Sequence, residues 1–155
     1  MKRRAFLIAT AALPLACSVK PKAVAPHPYG YFNPGEARVM DAWLQCLLPG
    51  SPGARECNAL AYLDKQLQLP HFANVARAVR RTIARLQEAA KPSMFADLAA
   101  AEQNDLLTRL QSGQLTDAKI NTQKTFELVH GFALEAFMSS PKTFAWLGNS
   151  PACPH

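Results

Sequence analysis

The chain has 155 residues, 49% of them apolar, with 17 lysines and arginines against 11 carboxylates, a formal charge of +6. That length supports one modest core and leaves no room for a second. Lys2, Arg3 and Arg4 lie in the first sixteen residues; without them 14 basic face 11 acidic side chains, a balance of +3, which argues against nucleic acid as a partner.

In chain order, "KRRAFLIATAALPLAC" comes first. A basic start, a short apolar run and small residues are the pattern of an export signal over residues 1–16. The apolar run reaches only about 18 Å, too short for the ~30 Å hydrocarbon core of a bilayer. Arg3, Arg4, Phe6 and Leu7 fall where the twin-arginine signal places them, against the plainer reading of a chance basic pair in an ordinary secretory signal. "LPLAC" resembles a lipoprotein box and makes Cys17 the candidate lipidation site, although Pro14 replaces the expected leucine. The rival cleavage site, 23–25, is followed by Pro26. A proline-rich tether is expected over 17–33, because repeated prolines hold the backbone open. The expected location is the periplasm, with a membrane anchor if Cys17 carries lipid.

Beyond the tether, over 34–155, apolar residues recur at helical spacing and no strand alternation stands out. The expected fold is all-α, a small irregular bundle of about five helices. The first helix spans 34–48, capped by Asn33 and stopped by "PGSPG". A second spans 54–69, with Leu60, Leu63 and Leu67 on a stripe and Pro70 at its end. The third, 73–90, has Val75, Val79, Ile83 and Leu86 on one face and Arg77, Arg80, Arg81 and Arg85 on the rest. A fourth helix carries Leu106, Leu107 and Leu110 and stops at Gly113. The fifth, 116–139, is the most apolar, and its second half predicts burial among several neighbours or against another protein. A loop-rich tail follows Pro141.

Catalytic signatures are missing. No glycine-rich phosphate loop occurs, and neither CxxC nor CxxCH occurs. His130 is the one histidine inside an expected helix, without a second ligand at helical spacing. Ser139 and Ser140 have no nucleophile elbow or orienting acid. The chain therefore reads as non-catalytic by itself, with no cofactor or metal of its own. Cys46 and Cys57 flank a turn-rich loop and are a candidate disulfide, with Cys57 and Cys153 as the rival pair.

Three stretches carry a family resemblance: "LLPGSPGARECNALAYLDKQL", "FADLAAAEQNDLLTRLQ" and "FELVHGFALEAFMSSPKTFAWLG". In this order they resemble the small subunit (subunit 3, or gamma subunit) of gluconate 2-dehydrogenase. The family's Tyr-Gly-Gly-Asn element before the tryptophan is replaced here by "KTFAW" in a shorter tail. The resemblance implies an escort for a large FAD-containing dehydrogenase subunit acting on a sugar or sugar acid, with a cytochrome c (haem c) subunit taking the electrons. It further implies help with maturation of the flavoprotein and its export through the twin-arginine translocase. Docking candidates are the aromatics Trp43, Phe72, Phe144 and Trp146 and the arginines Arg77, Arg81 and Arg85. The alternatives are a free-standing periplasmic lipoprotein or adaptor, and a small redox carrier built on His130 and a cysteine.

Overall fold

A computed structural model of the chain describes residues 28–148. Arg3, Arg4, Phe6, Leu7, Cys17 and Cys153 lie outside the described residues. The architecture is all-α: α1 (Pro34–Leu47), α2 (Ala59–Leu67), α3 (Ala73–Ala89), α4 (Ala100–Gln111), α5 (Thr122–Met138) and α6 (Pro141–Trp146), with 3₁₀ turns at Pro70–Phe72 and Phe95–Asp97. None of the described helices is long and apolar enough to cross a membrane.

Helix α1 starts at a complete capping box. Asn33 Oδ1 accepts the Glu36 N–H at 2.9 Å, and Glu36 Oε2 accepts the Asn33 N–H at 3.0 Å. Its face of Val39, Met40, Trp43 and Leu44 is fully buried. Helices α1 and α5 form the centre of the bundle, each packing on α2, α3 and α4 and on the other. Trp43 stacks on Phe126 across that contact, with centroids 6.0 Å apart. From α3, Val79, Ile83 and Leu86 enter the core, as the 3.6-residue spacing requires. Two glutamines fix the link between α3 and α4. Gln87 Oε1 accepts the Phe95 N–H at 2.7 Å, and Gln103 Nε2 donates to the Phe95 carbonyl at 3.0 Å, seating Phe95 fully in the core.

Three helix boundaries differ from the sequence expectation. Helix α2 begins at Ala59 rather than 54, because residues 54–58 form turns and Asn58 adopts left-handed backbone, φ 53°. Asparagine tolerates that region, and one such residue ends helical geometry. Ahead of it Gly53 has no room for a side chain, since a Cβ there would lie 2.6 Å from the Gly50 carbonyl oxygen. Helix α5 begins at Thr122 rather than 116. Asp117 Oδ1 accepts the Lys119 N–H at 2.8 Å in a local turn, and Asn121 then caps the helix by accepting from Lys124 N–H at 2.9 Å. The expected loop-rich tail contains α6, which Pro141 opens at a position that needs no N–H donor.

The tether also ends earlier than expected. By Tyr29 the chain packs on the bundle, and Phe32 is buried.

Candidate protein-docking surface

Helix α5 is apolar on more sides than the bundle can cover. Phe126, Val129, Phe132, Ala133 and Ala136 are buried, whereas Leu134 and Met138, one turn apart on another face, are exposed. Helix α6 and the residue that ends it add Phe144, Trp146 and Leu147. Five of the seven exposed large apolar side chains among the described residues lie within 134–147, with Trp146 63% and Met138 55% accessible. The Phe137 and Trp146 rings meet edge to face at 6.4 Å and join the two helices into one surface.

Polar contacts hold α6 and α2 in place beneath it. Thr143 is buried, and its hydroxyl lies 3.6 Å from Cys57 Sγ. Tyr62 Oη donates to Glu135 Oε2 at 3.0 Å, tying α2 to α5. Between α2 and the α5–α6 corner runs a groove of about 450 Å³, lined among others by Tyr62, Lys65, Ala136, Pro141 and Lys142. Exposed tryptophan, methionine and leucine clustered in this way are the composition of a protein-binding surface.

The docking candidates separate accordingly. Phe144 and Trp146 are on this surface. Trp43 is not: it is wholly buried, and its Nε1 has no hydrogen-bond partner. Phe72 is half-buried, edge to face with Phe132 at 5.2 Å, so it serves the α3–α5 packing. The arginines of α3 engage their own chain. Arg81 pairs with Asp117 at 3.7 Å, Arg85 donates to the Thr116 carbonyl at 2.9 Å and pairs with Glu88, and Arg77 bonds Asn74. Arg81 and Arg85 thus fasten the loop before α5.

Cys46 and Cys57 are free thiols and face different partners, Gln103 Oε1 at 3.5 Å and Thr143 respectively, so the sequence-based pairing of the two is not formed. Burial pushes the Cys46 thiol above its ordinary value, which keeps it protonated and poorly nucleophilic. His130 is exposed on α5 beside the Phe126 ring. No group of three His, Cys, Asp or Glu side chains with metal-binding geometry occurs among the described residues.

Sequence reasoning missed Asp64. It is 4% accessible, on the same face of α2 as Leu60 and Leu67, yet carboxylates are almost never buried without partners. Its Oδ1 accepts the N–H groups of Tyr31 at 3.0 Å and Phe32 at 3.1 Å. Its Oδ2 accepts Gly30 N–H at 3.0 Å and Gln68 Nε2–H at 2.7 Å. The signal was present: an aspartate four residues after one stripe leucine and three before another needs a buried donor, which the sequence does not identify.

A family model described as gluconate 2-dehydrogenase subunit 3 matches residues 34–152. No curated protein and no solved structure gives a match.

Proposed function

The chain belongs to the gluconate 2-dehydrogenase subunit 3 family, and from that premise we propose that it is a non-catalytic accessory subunit of an FAD-dependent sugar or sugar-acid dehydrogenase. In this reading it binds the large flavoprotein subunit, assists its maturation and leads it out through the twin-arginine translocase. A cytochrome c subunit receives the electrons, and the complex works in the periplasm, held at the membrane where Cys17 is lipidated. FAD and haem belong to the partners.

The observation that carries the proposal is the exposed apolar surface of Leu134, Met138, Phe144, Trp146 and Leu147. Leaving so much clustered hydrocarbon in water costs free energy in proportion to its area, and burial under a partner recovers it. Tryptophan is the side chain most enriched among interface anchors. An escort needs such a surface and no catalytic group, which matches a chain whose sequence holds no catalytic signature. The leader motif supports the export role, since a folded flavoprotein without a leader of its own needs a companion that has one.

The test is affinity purification from the host envelope, with the tag joined after His155 by a long glycine-serine linker. A yellow complex containing a large flavoprotein is expected, and Trp146→Ala with Leu134→Ala should release that flavoprotein while the small subunit stays folded. A colourless chain that comes down alone, with lipid on Cys17, would replace the proposal by a free-standing lipoprotein.

A further inference from the structure

A groove of about 400 Å³ runs between α3 and the loop that leads into α5, lined by Asn74, Arg77, Ala78, Arg81, Lys119 and Ile120. The first four recur along α3 at spacings of three and four residues, which puts them on one helix face. The opposite wall is held in place by its own bonds. Asp117 and Ile120 form an isolated antiparallel bridge, and Asp117 Oδ1 accepts the Lys119 N–H at 2.8 Å, so the loop turns back on itself. Arg85 donates to the Thr116 carbonyl at 2.9 Å, and Arg81 Nη1 lies 3.7 Å from Asp117 Oδ1, which pins that loop to α3. Both walls are therefore set before any ligand arrives, and a preformed site lowers the ordering cost of binding.

Charge in the groove is one-sided. Arg77, Arg81 and Lys119 are all exposed, and Asp117 beside Arg81 is mostly covered. Arg77 bonds the neutral Asn74 side chain, and neither Arg77 nor Lys119 pairs with a carboxylate among the described residues. Asn74 gives its carbonyl oxygen to Arg77, which leaves its amide NH2 as a further donor. Like charges gathered on a fixed wall repel one another, and an anion between them removes that cost. Two cations without a carboxylate match a ligand of two negative charges. A carboxylate brings one charge and two oxygens, whereas a phosphate monoester brings nearly two charges at pH 7 and three terminal oxygens. Guanidinium forks fit phosphate oxygens in pairs. We propose that this groove binds a phosphate monoester, with Arg77 and Lys119 as its charge partners, Arg81 and Asn74 as further donors, and Ile120 beside the ester substituent. The site shares no residue with the α5–α6 surface and does not rest on the accessory role.

Inorganic phosphate titrated into the full chain at constant ionic strength, followed by amide NMR, tests the site. Saturable shifts are expected at amides 74–81 and 117–121, and acetate at the same ionic strength should give none. Arg77→Gln combined with Lys119→Gln should weaken phosphate binding about tenfold, the scale of lost charge-assisted hydrogen bonds at an exposed site. Both side chains point into water, so the denaturation midpoint should hold in that variant. Arg38→Gln removes a charge that pairs with Asp97 elsewhere on the surface and should leave the affinity unchanged. Shifts that never saturate would overturn the proposal, as would equal shifts with acetate or equal weakening by Arg38→Gln, the marks of general counterion attraction. Two further probes separate the sources of the monoester. Glycerol 3-phosphate that binds at least as tightly as inorganic phosphate assigns the site to a small free ester. Phosphatidylcholine vesicles carrying phosphatidic acid that retain the wild type better than the double variant assign it to a lipid headgroup; retention through a leader or an acyl chain would be equal for the two. Failure of both probes would overturn the monoester class.

Discussion

Two regions of the bundle handle exposed chain in opposite ways. Toward Asp64, an extended segment with no regular secondary structure is drawn in, and backbone donors, a phenol, a guanidinium and a phenylalanine are matched to groups from α1, α2 and α3. Toward α5–α6, regular helices carry leucine, methionine and tryptophan out into water. Among the described residues, no segment is drawn over the second region in the same way. The difference separates a region completed by the fold from one that the described residues leave open to water.

If the buried side of that contrast is real core, its centre should tolerate truncation least. Trp43→Ala empties a fully buried site stacked on Phe126 and should lower stability by about 3–5 kcal/mol, read as a fall in denaturation midpoint at constant slope. Little loss there would mean that the core is looser than its packing. Asp64→Ala is next. It strips the acceptor from three N–H groups, and about 2 kcal/mol is expected, because residues 30–32 regain water as they open. Arg80→Ala should cost about 1 kcal/mol, the scale of a half-exposed ion pair with a ring contact, and the loss should shrink as salt is raised. The smallest change in stability, within about 0.5 kcal/mol, is expected for Trp146→Ala at the exposed end. The same substitution should weaken capture of the flavoprotein most. A large loss of stability from Trp146→Ala would move that residue to the buried side and erase the contrast.

A titration sharpens the Asp64 side. Burial raises the Tyr31 phenol above its usual value, an effect that Arg80 partly opposes. A group raised by folding lends stability that is complete below its unfolded value and fades as pH climbs through the folded one. Alkaline loosening of amides 30–32 should therefore begin near the ordinary tyrosine range of about 10, and Tyr31→Phe should delay it, as exchange measured against pH would record.

Periodicity was sufficient for the helical class, for the buried stripes of α1 and α3, and for the caps at Asn33 and Gly113, because these depend on neighbours within one turn. Local patterns also named Phe144 and Trp146 as docking candidates, and both are exposed. They could not separate these from Trp43 and Phe72, since an aromatic on a helix reads the same whether a neighbouring helix covers it or not. The start of α2 was misjudged because a single left-handed residue, Asn58, outweighs the helix propensity of "AREC" before it. The start of α5 shifted because Asp117 and Asn121 bond their own local backbone. What the sequence determined alone was the all-α class and its family, both written in short-range order. Only the tertiary structure decided that Asp64 holds residues 30–32, that Arg81 and Arg85 fasten the loop before α5, and that the described residues leave the α5–α6 face bare. Each of these depends on groups dozens of residues apart in the chain, and no local pattern records which of them meet.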